Sequence, residues 1–238
     1  MARHGKKYRD AASRYDKQTP YPAAEALKLV KSLAPAKFDE TVEVVFGLGI
    51  DARKADQIVR GTVSLPHGTG KEVRVAVFTN PAKEEEAKAA GADVVGGTEL
   101  AEEIQGGREL DFDVAIATPD MMSEVGKLGR VLGPRGLMPN PKAGTVTEDI
   151  SKTVEEYKAG RIEYRNDRYG NVHAPVGKVS FEAEQLLGNL ASLTDEIIRN
   201  RPAGSKGRYM RAMTVSSTMG PGVKVDVGHL EDLTALAR

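Results

Sequence analysis

Residues 73–78, VRVAVF, decide the fold class. This short apolar run is rich in β-branched residues, which suits a strand buried on both faces of a parallel sheet. Asn80 and Pro81 stop it, residues 83–90 are strong helix formers, and Gly91 suits a helix end. ADVV from Ala92 repeats the strand signal. Residues 98–105 repeat the helix signal, closed by Gly106 and Gly107, and DVAIAT at 113–118 is a third strand. Strand starts near 73, 93 and 113 recur at an even spacing. Strands alternating with helices predict a small three-layer parallel α/β domain of Rossmann-like type.

The flanks read differently. In residues 41–51, Val42, Val44, Phe46, Leu48 and Ile50 fall on alternate positions, the pattern of a strand with one buried face and one wet face. Before it, residues 23–33 form an amphipathic helix with Leu27, Val30 and Leu33 on one stripe. Residues 162–164 and 172–179 flank a turn, Asn166-Asp167-Arg168-Tyr169-Gly170, and predict a hairpin. Residues 181–200 carry Leu186, Leu190, Leu193 and Ile197 at helical spacing. Residues 208–217 predict a strand that Met219-Gly220-Pro221-Gly222 turns into residues 223–227, and this strand could share a sheet with residues 41–51.

Neither flank alone has enough elements for a domain. Together, residues 1–66 and 159–238 predict a split α+β domain, with the α/β domain at 67–158 inserted. Gly68 and Gly70 in one crossing and Gly160 in the other are candidate hinge positions, since glycine absorbs backbone rotation. The alternative is two consecutive domains with a break near residue 120. The insertion is favoured because strand type and charge change at the same two boundaries.

The 238 residues hold 34 basic and 34 acidic side chains, a net charge of zero that masks segregation. Residues 1–66 carry +4, residues 67–158 carry −6 and residues 159–238 carry +2. Basic flanks around an acidic centre point to an anionic partner for the flanks. There is no cysteine, which excludes a disulfide scaffold, a thiol nucleophile and a cysteine-based metal site. No apolar stretch reaches the roughly 18–20 residues of a membrane span. Residues 1–10 are basic and lack the apolar core of a signal peptide, so a cytoplasmic location is expected.

Enzyme motifs fail on inspection. Gly68-Thr69-Gly70-Lys71 resembles the tail of a phosphate loop, but the earlier glycine is Leu65 and the hydroxyl position is Glu72. Gly126, Gly129 and Gly133 do not make a dinucleotide fingerprint. His4, His67, His173 and His229 form no metal-binding pair, so no metal and no cofactor is expected. Asp111, Asp113 and Asp120 cluster near the third strand of the α/β segment, and an acidic cleft there is the rival, enzymatic reading.

Two other stretches are less ordinary. Residues 127–145, KLGRVLGPRGLMPNPKAGT, hold Lys127, Arg130, Arg135 and Lys142 with no acid, a basic island suited to an anionic contact. Residues 214–222, TVSSTMGPG, end a hydroxyl-rich strand in a glycine–proline turn. Ser216, Ser217 and Thr218 suit ribose hydroxyls and phosphates, and Gly220 would let an RNA backbone come close.

Five segments carry a resemblance: AKFDETVEV (36–44), LGIDARKADQIVRGTVSLPHGTGK (48–71), LGRVLGPRGLMPNPKAGTV (128–146), GRIEYRNDRYGNVHAPVGK (160–178) and SSTMGPG (216–222). Over essentially its whole length the chain resembles the bacterial ribosomal L1 family, large-subunit proteins of the mobile side stalk. Phe46-Gly47 departs from the pattern, since that strand often carries charge there. The resemblance implies a non-enzymatic protein, a monomer when free, with a split RNA-binding domain and an inserted α/β domain. It implies direct binding to large-subunit ribosomal RNA (rRNA) in the ribosome, help in releasing deacylated tRNA from the exit site, and repression of the protein's own operon through its mRNA. The implied RNA contacts are Lys37, Phe38, Thr41, Asp167, Arg168, Ser217, Thr218, Met219 and Gly220.

Those side chains suit that chemistry. Lys37 and Arg168 pair with phosphates. Thr41 and Thr218 bond ribose hydroxyls, and Asp167 accepts from a ribose hydroxyl or a base amino group. Phe38 and Met219 lie against sugar or base edges. Aromatic residues are only 5% of the chain, which favours reading a folded RNA surface over stacking a single strand.

Overall fold

The computed structural model describes residues 5–228 and 230–235. In chain order the elements are α1 (Lys6–Ser13), α2 (Ala23–Leu33), β1 (Thr41–Leu48), β2 (Arg60–Ser64), β3 (Val75–Phe78), α3 (Pro81–Ala89), β4 (Val94–Gly96), α4 (Thr98–Gln105) and β5 (Val114–Ala117). They continue with α5 (Met122–Lys127), α6 (Gly129–Leu132), α7 (Ile150–Ala159), β6 (Arg161–Arg165), β7 (Asn171–Lys178), α8 (Ala183–Arg199), β8 (Met210–Ser217), β9 (Val223–Val225) and α9 (Leu230–Ala235). These divide into two compact units, residues 1–70 with 162–238, and residues 71–161.

In the first unit a four-stranded sheet runs β7-β1-β8-β9, antiparallel throughout. The alternation in β1 places Val42, Val44, Phe46 and Leu48 inward, where they meet Val172, Ala174 and Val176 of β7 and Met213 and Val215 of β8. Leu27, Val30 and Leu33 of α2 and Leu186, Leu190, Leu193 and Ile197 of α8 join this core. The opposite face of the sheet exposes Glu43, His173 and Lys224. Strands β1 and β8 do share this sheet, with Thr214 opposite Val45 and Ser216 opposite Glu43.

The hairpin expected at 162–179 forms only at its turn, where Asn166 and Val172 make a single antiparallel bridge. β6 pairs with β2, whereas β7 pairs with β1. Asn166 causes the divergence: its side-chain carbonyl accepts the Val59 N–H at 2.8 Å and its own N–H donates to the Val59 carbonyl at 2.9 Å. Arg60 and Glu163 add an ion pair at 2.5 Å between the same two strands. Beyond that one bridge the two strands part to different sheets.

In the second unit a parallel sheet runs β4-β3-β5. Successive residues of β3 point to opposite faces. Ala76 and Phe78 pack with Leu100 and Ile104 of α4 and with Val125 and Leu132, while Val75 and Val77 pack with Ala87 of α3 and Ile150, Val154 and Tyr157 of α7. Helices on both faces of one sheet make three layers. The basic loop is partly helical, through α5 and α6, and rejoins the sheet beside β5, where Ala117 exchanges backbone hydrogen bonds with Thr145 and Thr147.

Asp111 and Asp113 precede β5 and Asp120 follows it, so the sequence cluster is split between the two ends of the strand. Asp113 pairs with Lys71 at 2.8 Å and accepts the Arg74 N–H, and Asp120 lies 3.4 Å from the Asn80 amide. Burial works against the Asp113 carboxylate, but the bonds from Lys71 and Arg74 outweigh it and hold its pKa below the ordinary value. These are structural pairings, each with its own partner. No metal-binding cluster of acids and histidines occurs among the described residues. His4 and His229 lie outside those residues.

Candidate nucleic-acid interface

The candidate contacts fall at two ends of the sheet in the first unit. Lys37, Phe38, Thr41, Thr218, Met219 and Gly220 gather where β1 begins and β8 ends, because Thr41 and Val42 stand opposite Lys178 and Ser217 respectively. Asp167 and Arg168 lie at the far end of β1, beyond the Gly47–Asn171 pairing. At about 3.3 Å per residue the two ends are roughly 23 Å apart, so one partner must span the sheet to touch both.

The first end is organised by a residue that sequence reading passed over. Glu40 is 1% exposed, yet it is ionisable. Its Oε1 accepts the Ala36 N–H at 2.7 Å and its Oε2 accepts the Met219 N–H at 2.9 Å. Burial opposes its charge, but the backbone hydrogen bonds from Met219 and Ala36 outweigh that and hold the carboxyl below its ordinary pKa. One carboxylate therefore ties residues 36–40 to the turn after β8. The outcome is display: Phe38 is 58% exposed and Met219 56% exposed, side by side with exposed Lys37. Two large apolar side chains displayed together mark a candidate interaction surface.

The hydroxyls are partly committed. Thr218 Oγ1 accepts the Thr41 N–H at 3.0 Å, and the Thr218 N–H donates to the Thr41 carbonyl at 3.1 Å. Thr41 Oγ1 accepts from Lys178 Nζ at 2.9 Å, which leaves its proton for a further acceptor. Lys178, opposite Thr41, also belongs to this end, and the alternation of β7 is the sequence signal that points to it. Ser217 is 4% exposed, so it does not offer its hydroxyl outward; strand alternation gives that position to Ser216. The reading of Gly220 as an open approach for RNA is also corrected. A Cβ there would lie 2.4 Å from Ser217 Oγ and 3.7 Å from the Leu33 carbonyl, pointing into the protein.

At the second end Asp167 is a turn former. Its Oδ1 accepts the N–H groups of Tyr169 and Asn171, each at 2.8 Å, and its Oδ2 accepts the Asn171 amide at 3.2 Å. These bonds overcome the opposing effect of burial and keep its pKa below the ordinary value. Arg168 is exposed, with its guanidinium 4.9 Å from the centre of the Tyr169 ring. Tyr169 is 71% exposed and was not singled out from sequence.

In the second unit, Arg130 and Arg135 are exposed, and Lys127 pairs with Glu124 at 2.7 Å. The Lys142 side chain lies outside what is described. Gly68 and Gly70 have φ of 66° and 70°. Gly68 is tethered: Asn189, fully buried in α8, donates to its carbonyl at 2.9 Å and accepts the His67 N–H at 3.0 Å. A Cβ on Gly70 would lie 2.8 Å from atoms of Lys178 and Phe181. Gly160 ends α7 in the left-handed region at φ 111°.

Among the described residues no helix is long and apolar enough to cross a membrane. The family model described as the ribosomal protein L1p/L10e family matches residues 30–221, a span containing every candidate contact at both ends of the sheet. The chain belongs to that family, whose members are structural proteins of the large ribosomal subunit that bind rRNA.

Proposed function

We propose that the first unit grips the stalk region of large-subunit rRNA chiefly through the end of the sheet built by Lys37, Phe38, Thr41, Thr218 and Met219. On the ribosome the protein then forms the mobile side stalk that assists deacylated tRNA in leaving the exit site. A similar fold in the mRNA of its own operon competes for the same surface, so that free protein, monomeric in the cytoplasm, represses its own synthesis. Residues 1–70 with 162–238 act as the RNA-binding domain and residues 71–161 as an inserted domain, its bounds a few residues later than the sequence suggests because His67 and Gly68 are bonded to Asn189 of α8. Since Gly68 is fixed to Asn189, rotation between them falls at Gly70–Lys71 and Gly160–Arg161. The basic loop with Arg130 and Arg135 supplies a secondary contact to an anionic partner.

The observation that carries this reading is the paired display of Phe38 and Met219 beside Lys37 on a base fixed by buried Glu40. A rigid apolar patch with adjacent cations suits the sugar edges and phosphates of a folded RNA. The test is equilibrium binding and nucleotide footprinting on protein-free large-subunit rRNA over a range of salt. Met219→Ala should weaken binding about 5- to 50-fold at every salt concentration. Lys37→Ala should lower the salt slope by about one. A footprint that is absent, or indifferent to both variants, would sink the assignment.

A further inference from the structure

A groove of about 480 Å³ lies between α1 and the Pro35–Phe38 loop. Tyr8 and Lys7 of α1, Pro35, Lys37 and Phe38 of the loop, and Met219 line it. Its volume is that of a small-ligand pocket, and its exposed surface is mostly apolar. Among the described residues no acid lines it. Lys7 Nζ stands at the rim, 3.5 Å from the Pro35 carbonyl, and Lys17 Nζ lies 6.0 Å from the centre of the Tyr8 ring. Lys6 and Arg9 on the same helix are exposed. Nothing in the sequence had drawn α1 into the RNA surface.

We infer that this groove takes one unstacked nucleotide of the bound RNA, with its base against Tyr8 and Phe38 and its phosphates near Lys7 and Lys37. The inference rests on the RNA-binding reading above and extends its surface to α1. Two observations select an RNA nucleotide as the occupant. The groove is continuous with the candidate interface, because Phe38 and Met219 belong to both. Its chemistry is also complementary to a nucleotide, with aromatic and thioether walls between ammonium groups. Sequence-specific proteins read RNA mainly where bases leave the helix and meet aromatic side chains. A bare apolar partner would leave the lysines at the rim without counter-charges.

The test uses the full chain and protein-free large-subunit rRNA. Tyr8→Phe keeps the ring and should bind like wild type. Tyr8→Leu keeps apolar bulk without a π face and should bind about 5- to 100-fold more weakly, the range expected for losing one stacked base. In the wild-type complex one nucleotide should be protected from base-modifying reagents and should become reactive with Tyr8→Leu. Lys7→Ala should lower the salt slope by about one. If Met219→Ala weakens binding while Tyr8→Leu and Lys7→Ala leave affinity, salt slope and base protection unchanged, the groove is empty in the complex and this inference fails alone. If wild-type protein leaves no footprint on the RNA, the RNA-binding reading fails with it.

Discussion

The two ends of the sheet in the first unit solve one problem in different ways. Each presents exposed side chains from an irregular loop, and each stiffens that loop with a carboxylate that collects backbone N–H groups. Asp167 collects them locally, from Tyr169 and Asn171. Glu40 collects them from Ala36 and from Met219, whose residue number is 179 higher. Asp167 is partly open to solvent, whereas Glu40 is closed off from it. The local device shapes a turn. The long-range device makes the position of Phe38 and Met219 depend on the whole sheet being assembled.

Removing the two carboxylates should break this comparison most sharply. Glu40→Ala takes the acceptor from the part-buried Ala36 and Met219 N–H groups, at a cost of about 1–3 kcal/mol. Chemical denaturation should show that loss. RNA affinity should fall further than it does for Met219→Ala, because both halves of the patch lose their seat. Glu40→Gln retains one acceptor and should fall between wild type and Glu40→Ala. A Glu40→Ala protein with wild-type stability would mean the carboxylate is not the tie between the loops.

The next contrast separates packing from RNA contact at Gly220. Gly220→Ala drives a methyl group against Ser217 Oγ and should cost about 1–3 kcal/mol by overpacking. Adding Ser217→Ala removes the obstructing hydroxyl and should restore most of both stability and RNA affinity. If stability returns but affinity does not, the glycine is needed at the RNA after all, as its sequence context first suggested.

At the other end, Asp167→Ala should cost about 0.5–2 kcal/mol, in line with removal of a side-chain cap from exposed N–H groups. Its effect on RNA binding should be no larger than that of Arg168→Ala, since the aspartate acts by holding the turn that carries the arginine. A loss from Asp167→Ala well beyond that of Arg168→Ala would give the carboxylate a direct contact of its own.

The same comparison explains what the sequence could tell. The turn at 166–170 was legible because Asn, Asp and Gly at fixed offsets encode it locally. The three parallel strands were legible because each is a short apolar run bounded by glycine or proline, and the faces of β1 because its alternation is unbroken. The resemblance brought in Phe38 and Met219. What stayed hidden depends on distant pairing. Glu40 reads as an ordinary acid in a charged stretch, and only the antiparallel register of β1 with β8 brings it under Met219. A hydroxyl-rich segment does not reveal which parity faces the core, so the inward position of Ser217 shows only in the fold. The hairpin stops at one bridge because Val59, more than a hundred residues away, satisfies Asn166.

The smallest contrast is one of pH. Glu40 and Asp167 both titrate below their ordinary values of 4.5 and 3.8 in the folded protein, because their hydrogen bonds to N–H groups outweigh the penalty of burial. A depressed folded pKa adds stability that is fully present above the unfolded value and is lost as pH falls through the folded one. Acidification should therefore begin to erode the stability that Glu40 contributes as pH falls through about 4.5, its ordinary value. Neutral pH should leave both intact. Denaturant midpoints for wild type and Glu40→Gln, measured from pH 7 down to pH 3, should converge as pH falls, because the variant has no carboxyl to protonate there. Asp167→Asn should run parallel to wild type until close to pH 3.8. If the wild-type and Glu40→Gln curves stay parallel throughout, Glu40 is protonated or unbonded in the folded protein, and the rigid seat beneath Met219 has another source.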